Sequence, residues 1–243
     1  MMQGWRARIG QIRPATAIEG AEEWRSVCPV GVAFADARTI VPKVDKGGLK
    51  VMMGQVIEAS KQLATAHVDL IVQCGAPGIF PEGGNKNAEV VGEITKATGV
   101  PAITMMEAML DGLRAVGAKR IALASTYTDD VNEALGRYLE AHQISVKAMK
   151  GLNLTDPWDS SMHGDDVSYR MGKEVFQAAG GAGKVDTILI SCGTFRTFQM
   201  LPYLESDMGV PVISSNQASL WRALRKCGLK DVVPNLGRLW HVA

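Results

Sequence analysis

The amino-acid sequence predicts an α/β fold made of two similar lobes, related by a pseudo-twofold and separated by a cleft. Three observations carry this expectation. Short β-rich runs alternate with amphipathic stretches from end to end, the pattern of parallel sheets covered by helices on both faces. The chain also repeats itself: "VDLIVQCG" leads to "TGVPAIT", and later "VDTILISCG" leads to "MGVPVIS". Finally, 47% apolar against 21% charged residues over 243 positions leave ample core for one large domain or two small ones.

In chain order, Arg6–Ile12 is the first strand-like run and Val30–Ala35 the second. Leu49–Thr65 spaces its apolar residues as an amphipathic helix. Leu70–Gln73 is short and apolar, as a buried strand requires, and Asn87–Thr98 returns to helical spacing. Gly-Val-Pro punctuates the entry to a strand at Ala102–Thr104, and Met105–Val116 follows as a helix. The second half runs through strand Arg120–Ala124, helix Asp130–His142, strand Ser145–Lys150, helix Gly164–Ala179 and strand Thr187–Ser191. The acids Asp129 and Asp130 suit a helix N-terminus and are read as capping residues. A second Gly-Val-Pro leads into strand Val212–Ser214, and helix Gln217–Lys226 closes the pattern. The expected division is 1–106 with 215–243 as the N-terminal lobe and 107–214 as the C-terminal lobe.

Composition narrows the function classes. A net charge of +1 without a Lys/Arg run argues against nucleic acid as a partner. The N-terminal MMQGWRARIG has no apolar signal region, and the chain has no 18-residue apolar stretch, so a cytoplasmic protein without a membrane partner is expected. Four cysteines without a CxxC pair suggest neither a disulfide scaffold nor a zinc ribbon. The four histidines lack close ligand spacing, so no metal is expected. "PGIFPEGGNKN" at 77–87 lacks the Gly-Lys-Ser/Thr end of a phosphate-binding loop, and no GxGxxG follows the first strand. His163, alone in "SSMHGDD", is more often incidental than an acid or base.

In parallel sheets ligands bind beyond the carboxyl ends of the strands, which directs attention to the residues just after each strand. Cysteine usually behaves as a small buried hydrophobe, and Cys28 and Cys227 are read that way. Cys74 and Cys192 differ: they hold equivalent places in the repeat, they follow strands, and glycine follows each. One thiol is expected on each wall of the cleft. A thiolate can take a proton from a carbon acid while the opposing thiol supplies one, or it can add to an electron-poor double bond. Both routes build negative charge that backbone N–H groups stabilise, and Gly75, Ala76, Gly193 and Thr194 are the candidate donors. Tyr127, in the turn of "ASTYTDDVNEAL", is a candidate hydroxyl donor. Arg13 can pair with a substrate carboxylate or form a surface or interface salt bridge.

The paired Cys-Gly strand ends, "ASTYTDDVNEAL", "GVPVISSNQASLWRALRKCG" and the terminal "GRLW" resemble the aspartate/glutamate racemase superfamily. The match is closest to its branch of maleate cis–trans isomerases and arylmalonate decarboxylases. The resemblance spans nearly the whole chain. It implies two Rossmann-like lobes, each a mostly parallel four-stranded sheet flanked by helices, with cofactor-independent chemistry in the cleft. It also implies that Cys74 and Cys192 face the substrate, as in the isomerases and racemases. The decarboxylases keep only the second cysteine, at the position of Cys192, to protonate an enediolate. Tyr127 matches the family tyrosine, and the amides of Gly75, Ala76, Gly193 and Thr194 match its carboxylate site. This chain has Gly75-Ala76 where a hydroxyl pair is common, and Pro14-Ala15-Thr16-Ala17 where maleate isomerases carry an asparagine. The small apolar character of Pro14 and Ala15 is nearer the decarboxylases and opens the site to a bulkier or less polar carboxylate.

The leading expectation is a two-cysteine isomerase or racemase of a small carboxylate. An arylmalonate-type decarboxylase using Cys192 is the alternative, and a non-catalytic carboxylate-binding protein stands third. A homo-oligomer would be ordinary for such a scaffold.

Overall fold

The computed structural model describes residues 3–81 and 83–242. Glu82, within the glycine-rich stretch weighed for nucleotide binding, lies outside the described residues, as do Met1, Met2 and Ala243 at the ends of the expected N-terminal lobe.

The first sheet and its helices are β1 (Ala7–Pro14), α1 (Ile18–Val27), β2 (Val32–Thr39), α2 (Lys46–Gly54), α3 (Val56–Thr65), β3 (Leu70–Gln73), α4 (Lys86–Thr98) and β4 (Ala102–Thr104). Helix α5 (Met105–Ala115) leads to β5 (Arg120–Ser125), α6 (Asp129–Ala141), β6 (Ser145–Gly151), α7 (Pro157–Ser161) and α8 (Asp165–Ala178). Then come β7 (Thr187–Ser191), α9 (Leu201–Met208), β8 (Val212–Ser214) and α10 (Ser215–Lys226). Each half forms a four-stranded sheet, in the orders β2-β1-β3-β4 and β6-β5-β7-β8. Every strand pair is parallel. The repeat read in the sequence is thus a repeat of topology, and the two-lobe α/β expectation holds. Among the described residues no helix is long and apolar enough to cross a membrane.

Several boundaries differ from expectation. Strand β1 continues past Ile12 because β2 runs on beside it, pairing Arg13 with Arg38 and Pro14 with Thr39. Strand β2 starts late: Val30 is 79% exposed, and Gly31 takes a left-handed φ of +90° that turns the chain into the sheet. The single helix expected over 49–65 is two, separated at Gln55, whose side chain accepts from Ile40 N and donates to the carbonyls of Ile40 and Val51. Helices α1, α7 and α9 have no counterpart among the helices that the periodicity predicts. The acids Asp129 and Asp130 occupy the first turn of α6, while Thr128 holds the N-cap place.

The lobes meet through α5 and α10, which leave the equivalent strands β4 and β8 and are capped alike. Thr104 Oγ1 accepts from Glu107 N at 3.1 Å. Ser214 Oγ accepts from Gln217 N at 3.2 Å, and Gln217 Oε1 accepts in return from Ser214 N at 3.1 Å, a reciprocal capping box. Close approach of the two helices rests on small residues: a Cβ at Gly112 would lie 3.3 Å from that of Ala218. Met105, Met106, Met109 and Leu113 on α5 and Ala218, Leu220 and Leu224 on α10 are fully buried, so this seam is continuous with the core. Thr197 Oγ1 also donates to Ser214 Oγ at 2.9 Å, which ties a loop of the second lobe to the same cap. Ser214→Ala is therefore expected to cost about 1–2 kcal/mol, read as a lower midpoint in urea unfolding. An unchanged midpoint would show that the cap contributes nothing.

Candidate active site

In a sheet of order 2-1-3-4 the chain reverses direction across the first and third strands, and a crevice opens at their carboxyl ends. Here the crevice of one sheet faces that of the other. A cavity of about 50 Å³ lies between them, lined by Pro14 at the end of β1, Cys74–Pro77 after β3, Thr126 and Tyr127 after β5, and Cys192–Thr194 after β7. Met105 at the start of α5 lines it as well. Val41, Val44, Leu49 and Met52 close it from the first lobe, and Pro157 and Ser160 from the second. Val44 N donates to Thr155 O at 2.7 Å, joining the two closing segments across the lobes.

Both thiols stand at equivalent strand ends. Cys74 N still belongs to the ladder, donating to Ile12 O at 2.8 Å. Its thiol faces Val72 O at 3.7 Å. Cys192 Sγ lies 3.0 Å from Thr194 Oγ1. The turns after the two cysteines lie close together: a Cβ at Gly193 would sit in van der Waals contact with Cys74 O at 3.6 Å and press on the flexible end of Met105 at 3.2 Å. Among the described residues the amides of Gly75, Ala76, Gly193 and Thr194 donate to no protein acceptor, which leaves them free to hold an anion. A Cβ at Gly75 would press on the ends of two side chains, Gln73 Nε2 at 2.6 Å and Met52 Cε at 2.9 Å, which would have to shift.

Tyr127 is held by the motif around it. Asn132 Nδ2 donates to Tyr127 O at 3.3 Å, Ser125 Oγ donates to Asn132 Oδ1 at 2.6 Å, and Tyr127 N donates to Ser125 Oγ at 3.1 Å. Burial, reinforced by nearby Cys192, keeps the Tyr127 hydroxyl protonated well above the ordinary phenol range, so it acts as a neutral donor. Burial also raises the Cys74 pKa, while the charge of Arg13 pulls it back down.

Two expected site residues do not reach the cavity. Ala15 is exposed, and its amide is taken by Thr39 O at 2.8 Å. Arg13 forms neither the substrate contact nor the surface salt bridge considered for it. It is fully buried behind the site, with Nε donating to Gln11 Oε1 at 2.5 Å and Nη1 to Asn216 Oδ1 at 3.1 Å. Its guanidinium lies 4.6 Å over the Trp24 ring, a cation–π contact that suits arginine. His163 packs against the edge of Phe195, and Cys28 and Cys227 are half-buried away from the cavity, each with its pKa pushed up to about 11. Met105 and Thr126 are cavity residues outside the candidate set, although both follow strands and the strand-end rule covers them. The closing residues, from Val41 to Met52 and at Pro157 and Ser160, carried no such signal.

Because Arg13 is the larger of the two charges, with Arg38, that oppose the effect of burial on Cys74, Arg13→Met should move the Cys74 pKa upward. The midpoint of iodoacetamide alkylation against pH, followed at the Cys74 peptide by mass spectrometry, reads this shift. An unmoved midpoint in a folded variant would remove Arg13 from the electrostatics of the site.

Residues 9–240 match the arylmalonate decarboxylase family. Arylmalonate decarboxylase of Bordetella bronchiseptica is 32% identical over 241 residues, covering 99% of each chain. Maleate isomerase of Nocardia farcinica is 25% identical, over 96% of this chain and 94% of its own. A liganded glycine-to-cysteine, cysteine-to-serine double mutant of arylmalonate decarboxylase superposes with a TM-score of 0.88 at 30% identity, over 96% of this chain and 98% of the other. With opposed strand-end crevices, two facing Cys-Gly turns and this likeness over nearly its full length, the chain belongs to the arylmalonate decarboxylase family, in the branch of the aspartate/glutamate racemase superfamily that also holds the maleate isomerases.

Proposed function

We propose that this family member is a cofactor-independent racemase or isomerase of a small carboxylate, with Cys74 and Cys192 as its acid–base pair. The observation that carries the reading is the thiol on each wall of one cavity, at equivalent strand ends. The substrate carboxylate lies on the free amides of Gly75, Ala76, Gly193 and Thr194, with the Tyr127 hydroxyl as a further donor. One sulfur, as thiolate, removes the proton on the carbon next to the carboxylate, and the C–H electron pair moves onto the carboxylate oxygens as an enediolate. The amides stabilise that charge. The opposite thiol then delivers its proton to the other face, so the sulfurs exchange roles and the product is the mirror image.

The rest of the lining selects the substrate. Among the described residues no Lys or Arg lines the cavity, and Pro14, Val41, Val44, Leu49, Met52 and Pro157 make its other walls apolar. One carboxylate and an apolar substituent match this surface, whereas a second carboxylate would lose its hydration there without a partner. That favours proton exchange at a substituted carbon over cis–trans isomerisation of a dicarboxylate.

The same apolar wall supports a second reading, decarboxylation of a substituted malonate. One carboxylate would occupy the amides while the other, held against apolar side chains, leaves as carbon dioxide. The bonding pair passes into the enediolate, and Cys192 protonates the carbon.

The test sets deuterium exchange of substituted monocarboxylates in D2O beside carbon dioxide release from the matching malonates. Two-thiol chemistry predicts exchange without release, and a loss of about 10²–10⁴-fold in Cys74→Ala and in Cys192→Ala alike. If Cys74→Ala keeps its turnover while Cys192→Ala loses it, the two-thiol mechanism is wrong. Release without exchange would establish the decarboxylase.

A further inference from the structure

Helix α1 belongs to the first lobe but touches the Cys192 loop of the second at both ends of that loop. Near the cysteine, a Cβ at Gly20 would fall 2.3 Å from Gly193 O. Beyond Phe195, Glu23 Oε1 accepts from the amides of Thr197 at 2.5 Å and Phe198 at 2.8 Å. Glu23 Oε2 accepts from Asn216 Nδ2 at 2.8 Å. Trp24, the next residue of α1, donates from Nε1 to Asn216 O at 3.0 Å.

The direction of every bond in this cluster is forced. Arginine carries only donors, so Asn216 must turn its oxygen toward Arg13, as it does at 3.1 Å. Its NH2 group then points at Glu23. Both carboxylate oxygens of Glu23 face donors, two backbone amides on one and Asn216 on the other. A protonated carboxyl would add an O–H with no acceptor to meet and would weaken the bonds its oxygens accept. Only the ionised form completes the clasp.

We propose that Glu23 is a positioning residue, which fixes from the opposite lobe the turn that presents Cys192 and the anion-binding amides of Gly193 and Thr194. The assignment rests on reading those amides as the carboxylate site. It makes the site pH-dependent through a group that never touches substrate. Burial pushes the Glu23 pKa up to about 7, while the bonds from Thr197, Phe198 and Asn216 oppose the rise. The charged groups facing it are Arg13 from β1 and Asp165 at the start of α8. From the loop comes Arg196, which is paired with Glu19 at 3.2 Å; α10 offers only the neutral Asn216. The carboxylate predominates above its pKa, so the clasp is complete on the alkaline side of neutrality and is lost as pH falls through it.

The experiment reads the amide site without turnover. Iodoacetate and iodoacetamide alkylate the same sulfur, but only the first carries a carboxylate, and mass spectrometry of the Cys192 peptide gives each rate. The thiolate fraction cancels in their ratio. In the wild type the ratio of iodoacetate to iodoacetamide should exceed that of free cysteine at pH 8 and fall between pH 8 and 6. Glu23→Gln puts a donor against Asn216 Nδ2 and should lower the ratio about tenfold at pH 8. In the double variant E23Q/N216D the new carboxylate at 216 accepts from both Arg13 and the amide at 23, while the oxygen at 23 still accepts from Thr197 and Phe198. That variant should recover the ratio and hold it down to pH 6, because an acid paired with a guanidinium stays ionised. A wild-type ratio that is flat across this range overturns the assignment, as does a folded Glu23→Gln protein with an unchanged ratio. So does a folded double variant that stays at the Glu23→Gln value. A wild-type ratio equal to that of free cysteine overturns the carboxylate-site reading itself. If the ratio responds as described while Cys192→Ala keeps its activity, the clasp stands and the proposed chemistry falls.

Discussion

In each sheet the chain leaves its first strand for a neighbour on one side and returns through the third strand on the other. That reversal compels the connections after the two strands to part, and a crevice opens where no helix can cover the strand ends. One crevice alone is a shallow ligand site. The pairing of α5 with α10 turns two of them face to face, and it does so because both helices start directly from the edge strands β4 and β8. Everything in the cavity follows from this placement: a thiol from β3 opposite a thiol from β7, and free amides after each. Gly193 brings no side chain to the seam between the turns, where a Cβ would already be in contact with Cys74 O.

Bringing strand ends together also buries polar groups, and the structure meets most of that cost by pairing them, while Arg13 Nη2 and Gln11 Nε2 stay without a partner among the described residues. Arg13, Gln11 and Asn216 are fully buried, and Glu23 turns its carboxylate inward onto three donors. A buried cation is expensive unless its donors are met. Arg13 has Gln11 and Asn216 for two of its nitrogens and the face of Trp24 for its plane. The result is a polar partition behind the cavity that reaches the second lobe through Glu23, so the loop after Cys192 is held by hydrogen bonds as well as by apolar packing.

The parts legible in the sequence were those governed by local rules. Leu70–Gln73 and Thr187–Ser191 were read with their observed bounds, because a buried parallel strand is a short apolar run and a Cys-Gly or similar turn ends it. The pairing of Cys74 with Cys192 was legible because the repeat copies topology. What escaped depends on tertiary context. Helix α1 spends Glu23 inward on the other lobe and Trp24 on Asn216 of α10, so its pattern does not show the usual apolar stripe. Nothing local marks Arg13 as buried, since its partners Asn216 and Trp24 are brought to it by the fold. Gln55 ends one helix and starts another through a bond to Ile40, a residue far from it in sequence. Ala15 looked like a wall of the site by adjacency to Pro14, but the β1–β2 ladder claims its amide and turns it outward.

The repeat is one of backbone, and the side chains make its halves unlike. Cys192 has the hydroxyl of Thr194 beside its sulfur, whereas the turn after Cys74 offers only Gly75 and Ala76. Cys74 instead has the charge of Arg13 acting on it from behind. On the proposed chemistry the cavity must hold a thiolate and a substrate carboxylate together, two anions in a space with little water to screen them. A cation lining the cavity would meet that need but would also grip the carboxylate and resist its release. A cation behind the wall is different: it reduces the repulsion between the two anions while contacting neither. That is the place Arg13 occupies, and it accounts for a full positive charge being retained beside the otherwise apolar site.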